Sequence, residues 1–240
     1  MIVNVLTLFP EMFASVCDSS MWGRAIKAGH VTVNTVNIRD YAHNKHNRAD
    51  DYPFGGGHGM VLMPEPVDAC FKDVLATCEK PYINVYMSPC GKTLTHRTAV
   101  ELSKYRCINI LCGHYEGVDA RVIERHIDME ISIGDYVLTG GELAAMVLID
   151  ACMRHVDGVL GNEASTEVES FADALLEHPQ YTRPAKFDGM AVPEVLLSGH
   201  HGNVDAYNRR MSIAQTADKR SDLLSKAQLT KADIDYITEK

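Results

Sequence analysis

Three short segments of this 240-residue chain combine glycine with groups that can hold or polarise a ligand. They are "SPCGKTL" (Ser88 to Leu94), "GHYEG" (Gly113 to Gly117) and "GDYVLTGG" (Gly134 to Gly141). In the third, Gly134, Gly140 and Gly141 fall close together with Asp135 and Glu142 beside them. Glycine serves where backbone takes positive φ or closely approaches another group, so this composition suits a loop that presents main-chain amides and carbonyls to a ligand. Two ordinary turns would use the same residues.

Basic residues gather in two places. "RDYAHNKHNR" carries Arg39, Lys45 and Arg48 with His43 and His46, and "RRMSIAQTADKR" carries Arg209, Arg210, Lys219 and Arg220. The histidine spacing admits a metal reading, but the neighbouring cations favour phosphate, and no metal ligands are assigned. The net charge is −9, which disfavours indiscriminate nucleic-acid binding. Positive charge concentrated on such a background suits a polyanion, although charged runs are also ordinary solvated faces.

Seven scattered cysteines, without a C-x-x-C pair, argue against a disulfide framework or a zinc ribbon and suit a reducing, cytoplasmic setting. "MIVNVLTLF" lacks the cationic lead and cleavage site of a signal peptide and reads as a strand, and no stretch is long enough to cross a membrane. The segment after that strand has no G-x-G-x-x-G, and "FGGGHGM" (Phe54 to Met60) lacks the Lys and Ser/Thr of a P-loop. It reads as a mobile or sharply turning segment near a partner surface, or as a plain long loop.

The elements that must position these groups follow from periodicity. Val31 to Ile38, Tyr82 to Met87, Cys107 to Cys112 and Met129 to Ile133 read as strands. Glu65 to Thr77, His96 to Tyr105, Val118 to His126 and Glu142 to His155 read as helices between and after them. Alternation of this kind predicts an α/β protein with a parallel sheet, whose ligands sit at the carboxyl ends of the strands. All three glycine segments follow strands, which predicts a backbone-lined pocket. The pattern stops near Gly158, so the chain divides into an α/β domain (1–160), a polar linker (161–172) and a small helical domain (173–240). Helices are expected in that last part at Val204 to Thr216, Arg220 to Lys226 and Lys231 to Ile237, with no further β-like run.

The motifs "LFPEMF", "YMSPCGK", "LCGHYEGVDARV", "SIGDYVLTGGELAAM", "DGVLG", "EASTEVESF", "YTRP" and "PEVLLSGHH" resemble the bacterial tRNA (guanine-N1)-methyltransferases of the SPOUT superfamily over nearly the whole chain. The resemblance implies a deep trefoil knot from about Tyr86 to Leu138, in a mostly parallel sheet, gripping S-adenosylmethionine. Carried over by position, it places Tyr86, Ser88 and Pro89 around that cofactor, then Gly113, Tyr115, Glu116 and Gly117, then Ile133, Gly134, Tyr136, Leu138, Gly140 and Gly141. Glu116 would face the donor's cationic groups. The acceptor implied is N1 of the guanine at tRNA position 37, preceded by a guanine at position 36, a methylation that protects the reading frame. The family also implies a homodimer with a composite active site. The apolar helix "LAAMVLIDACM" could form its interface or simply belong to the core.

N1 of guanine carries a proton at neutral pH, so methyl transfer calls for a base and for a cation facing the charge that moves to O6. The resemblance points to Glu169 for the base, with Glu167 as the alternative, and Arg154, near the end of the helix after the third segment, is the arginine chosen for the cation, although it could merely cap that helix end. The family has aspartate where this chain has Glu169, which sets the carboxylate one methylene further out. His58, Cys90 and Ala144 also depart from the family pattern, without removing a group that has a chemical task. Arg39, Lys45, His46, Arg48, Arg209, Arg210, Lys219 and Arg220 are expected on tRNA phosphates, and the linker is expected to order when tRNA arrives. A Mg²⁺ requirement is not legible in the sequence. A different SPOUT RNA specificity, a non-catalytic RNA-binding module and an NAD-dependent oxidoreductase stand as alternatives.

Overall fold

The computed structural model describes residues 1–44, 46–161 and 169–238. Contacts divide the chain into two compact units, Met1–Gly161 and Asn162–Lys240.

In the first unit, β1 (Ile2–Thr7), β2 (Thr32–Asn37), β5 (Tyr82–Thr93), β6 (Cys107–Cys112) and β7 (Met129–Ser132) form one sheet in the order β2-β1-β6-β5-β7. Every pairing in it is parallel. Two-residue strands β3 (Asp50–Asp51) and β4 (Val61–Leu62) pair antiparallel outside it. Burial on both faces accounts for the near-continuous apolar runs. All six residues of β6, "CINILC", are buried because β6 lies at the sheet centre.

Helices α1 (Ala14–Cys17), α2 (Ser20–Lys27), α3 (Pro64–Thr77), α4 (His96–Leu102), α5 (Ala120–His126) and α6 (Glu142–Met153) flank the sheet. One core gathers Trp22 of α2, Ala99 and Leu102 of α4, and Leu148 and Ile149 of α6 against Val3, Val5, Ile108 and Ile110. The opposite core joins Val67, Phe71 and Val74 of α3 and Val122 of α5 to Leu6, Tyr86 and Leu111. Helix starts are locally encoded. Thr95 accepts from the Thr98 amide at 3.2 Å, Asp119 accepts from the Arg121 amide at 2.9 Å, and Pro64 opens α3.

An asparagine ladder fixes the sheet register toward its amino-terminal edge. Asn34 donates to Asn4 at 2.9 Å, Asn4 to Asn109 at 2.8 Å, Asn109 to Asn84 at 2.8 Å, and Asn84 to the His126 carbonyl at 2.8 Å. Each bonded asparagine pair stands directly opposite in register. A one-residue slip would leave buried amides without partners, at a cost of about 1–3 kcal/mol each.

Several expectations need correction. "SPCGKTL" is not a plain loop, because β5 runs on to Thr93. Met87 and Lys92 both pair with Ile131, so Ser88 to Gly91 bulge out between two registers on β7. A Cβ on Gly91 would collide with the backbone of Glu130 and Ile131, which is why glycine stands there. Helix α4 stops at Leu102, short of Tyr105. Helix α2, eight residues long with Gly23 inside it, is not anticipated in the sequence, although it buries Trp22 and Ala25 in the core.

The second unit contains α7 (Glu194–Leu197), α8 (His201–Lys219), α9 (Ser221–Leu224) and α10 (Lys231–Thr238). It also holds an antiparallel ribbon, β8 (Lys186–Phe187) with β9 (Met190–Ala191), which corrects the expectation of helices alone. Both strands are exposed, so no apolar alternation marked them in the sequence. Among the described residues, no helix is long and apolar enough to cross a membrane.

Candidate active site

The carboxyl ends of β5, β6 and β7 converge on one cleft of about 220 Å³. All thirteen residues that the resemblance places around the cofactor line it. The cleft also takes His114, Val137, Thr139 and Ala144, which the sequence reading missed. Glycines had marked the segments there, but nothing in their pattern distinguishes a wall side chain from a bystander.

Two contacts explain Gly141. The Gly141 amide donates to the Gly113 carbonyl at 2.8 Å, tying the third segment to the second. A Cβ on Gly141 would lie 2.8 Å from the Cys112 Cα and 3.1 Å from the Gly113 nitrogen, main-chain atoms that no side-chain rotation can move aside. Gly134 has a different reason, a φ of +147° that side chains rarely adopt. Tyr115 also holds a positive φ, 58°, without being glycine. Such backbone concentrates at ligand sites.

The two acids beside the third segment take opposite parts. Glu142 is 2% exposed and accepts from the Thr7 hydroxyl at 2.7 Å, so it pins α6 to β1. Asp135 is exposed and is not among the residues lining the cleft. Glu116 is exposed on the rim, and its amide donates to the Met60 carbonyl at 2.9 Å. The "FGGGHGM" segment therefore seats on the second loop, and Gly55, Gly56, Gly57 and Gly59 all turn it with positive φ.

Burial, and then the charge of Glu130, push the Tyr86 phenol up to about 12, so it enters the cleft wall as a neutral group. Burial likewise raises the Cys112 thiol beneath Gly141. The His114 ring lies 4.7 Å from both Phe9 and Tyr115, and its buried Nδ1 has no hydrogen-bond partner among the described residues.

The remaining expected site residues are distributed as follows. Arg154 is half-buried at the C-cap of α6. Glu169 is half-buried in the second unit and lines a separate cavity of about 320 Å³ with Asp173, Asp205 and Arg209. Glu167 and Lys45 lie outside the described residues. Arg39 reaches the cleft rim, 3.5 Å from the Tyr115 hydroxyl and 3.9 Å from Asp50. Arg48 stands 3.9 Å from Asp51, and His46 is exposed.

The second basic patch is less cationic than its sequence suggests. Arg209 donates to Asp173 at 2.7 Å, to Asp233 at 3.1 Å and to the Gln228 carbonyl at 2.8 Å. Arg220 pairs with Asp222 at 2.8 Å. These acids are distant in sequence or just past the patch, so a local charge count overlooked them. Arg210 and Lys219 are exposed and carry no ion pair among the described residues.

A parallel sheet covered on both faces, with a backbone-walled cleft at its carboxyl ends and no dinucleotide fingerprint, is the architecture of an α/β ligand-binding protein. Residues 1–226 match the family described as tRNA (guanine-1)-methyltransferase TrmD, and the chain belongs to that family. It is 56% identical over 223 residues to the tRNA (guanine-N(1)-)-methyltransferase of Ruminiclostridium cellulolyticum, covering 93% of this chain and 96% of that protein. The protein of the same name from Caldanaerobacter subterraneus subsp. tengcongensis is 53% identical, covering 100% and 98%. That from Staphylococcus aureus is 52% identical, covering 96% and 94%.

Proposed function

We propose that this chain transfers a methyl group from S-adenosylmethionine to N1 of the guanine at tRNA position 37, 3′ of the anticodon and preceded by guanine at position 36. The observation that carries this reading is the single cleft in which all three glycine segments meet, in a chain that belongs to the tRNA (guanine-1)-methyltransferase family.

The residues of the cleft suit the cofactor. Gly113 and Gly141 bring backbone to the cleft surface, Ile133 and Leu138 add apolar wall, and Glu116 supplies a carboxylate for a cationic group. When bound, S-adenosylmethionine supplies an activated methyl group on a sulfonium centre. Glu169 takes the proton from guanine N1, leaving a lone pair on that nitrogen for the incoming carbon. Arg154 faces the negative charge that moves to O6. Arg210 and Lys219, with Arg39, Lys45, His46 and Arg48, meet the RNA backbone, while Arg209 and Arg220 order the surface that carries them.

The finer architecture belongs to the same proposal. The segment from Tyr86 to Leu138 is threaded as a deep trefoil knot, the second unit is a largely helical tRNA-binding domain, and two copies associate to complete the site. The neighbouring order β1-β6-β5-β7 supports the knot. Leu143 and Val147, apolar yet 52% and 47% exposed and one turn apart on α6, support association.

The test is methyl transfer to tRNA transcripts that carry or lack the guanine at position 37. Activity is expected only with the guanine present, and Glu169→Gln is expected to lower the rate by roughly 10²- to 10⁴-fold while Glu169→Asp remains active. Methylation of the transcript lacking that guanine would overturn the site specificity. Full activity in Glu169→Gln would remove the base role from this residue.

A further inference from the structure

Two thiols at the opposite edge of the sheet lie in contact. Cys78 caps the C-terminus of α3, Cys107 opens β6, and their Sγ atoms are 3.1 Å apart. Among the described residues no other pair of thiols touches. A disulfide has its sulfurs about 2.05 Å apart, so closure needs a movement of about 1 Å. The surroundings are polar for a core edge. The Asn4 side-chain amide donates to the Cys107 sulfur at 3.2 Å, and Asn109 Oδ1 accepts from Cys78 at 3.2 Å.

Accessibility divides the two thiols. Cys78 is half-buried and reaches solvent, whereas Cys107 is 1% exposed. Burial and the hydrogen bond with Cys78 hold the Cys107 thiol up at about 12. A bulky oxidant can therefore meet Cys78 but not Cys107. Strand β6 separates the pair from the cleft by its full six residues, about 20 Å.

We propose that Cys78 and Cys107 form a reversible intramolecular disulfide on exposure to a low-molecular-weight disulfide such as oxidised glutathione. The Cys78 thiolate attacks the oxidant's S–S bond, forming a mixed disulfide and releasing one glutathione thiolate. Cys107 loses its proton to solvent and attacks the Cys78 sulfur, expelling the second glutathione. Two protein thiols are oxidised and one glutathione disulfide is reduced to two thiols. The bond joins residues 29 apart in sequence and encloses β5 and α4. It constrains the unfolded chain, with an expected rise in Tm of roughly 7–14 °C for a loop and chain of this size.

The folded protein is incubated with oxidised glutathione, acid-quenched, unfolded, alkylated and mapped by mass spectrometry. A peptide joining Cys78 to Cys107 is expected, reversed by dithiothreitol, while the exposed Cys90 yields at most a glutathione adduct that mass distinguishes from the link. Cys78→Ser is expected to abolish the link and the Tm rise, and Cys107→Ser to stop at a glutathione adduct on Cys78. Seven alkylatable thiols in the treated wild type, a link mapped to other cysteines, or a wild type that stops at the Cys78 adduct would each overturn the proposal.

Discussion

Replacing Gly141 by alanine tests how the cleft is built. Its φ of −81° is open to any residue, so backbone strain is not at issue. Lower unfolded-state entropy would even favour alanine by about 0.4–1 kcal/mol. Sterics oppose this. The new Cβ would stand 2.8 Å from the Cys112 Cα, and an ordinary contact begins near 3.4 Å, so backbone must separate by 3.4 − 2.8 = 0.6 Å. That movement loosens the 2.8 Å bond from the Gly141 amide to the Gly113 carbonyl, the tie between two cleft walls. Overpacking of this kind costs about 1–3 kcal/mol and outweighs the entropy gain. The expected outcome is a Tm lower by roughly 2–10 °C and an S-adenosylhomocysteine affinity at least about tenfold weaker. Differential scanning and titration calorimetry on Gly141→Ala and the wild type measure both. A variant with unchanged Tm and unchanged affinity would refute the claim that main-chain proximity shapes this site.

Other outcomes separate structural from RNA-facing charge and bear on pH. Arg209→Ala removes one of two partners of the buried Asp233 carboxylate, leaving it the Thr230 amide, and is expected to destabilise the second unit by about 1–3 kcal/mol, read by chemical denaturation. Arg210→Ala should leave stability unchanged but weaken tRNA binding and reduce its log–log salt slope by about 0.7, measured by filter binding across a salt series. In the α3–α5 contact, Lys72 and then His126 hold the Asp68 carboxyl below its ordinary value. A depressed folded-state pKa stabilises above the unfolded value and loses that effect as pH falls through the folded one. Asp68→Asn should therefore lower Tm at pH 7, with the difference from wild type fading below about pH 4. A difference that persists undiminished at pH 2 would assign the effect to packing.

The sequence by itself determined the alternation of strand and helix, because the central sheet strands are apolar through burial on both faces and the starts of α4 and α5 carry local caps, Thr95 and Asp119. It also marked the three cleft segments, since close backbone approach leaves glycine as its visible trace. It was silent wherever the cause is distant in sequence. Nothing near Glu142 announces that Thr7 will take its carboxylate 135 residues away, and nothing near Arg209 announces Asp233. The return of β5 onto β7 after a four-residue bulge, the asparagine ladder and the orphaned His114 nitrogen share that origin. Local propensity and periodicity record what a residue is next to along the chain, whereas pairing and burial depend on what the fold brings alongside it. Only the tertiary structure could decide those.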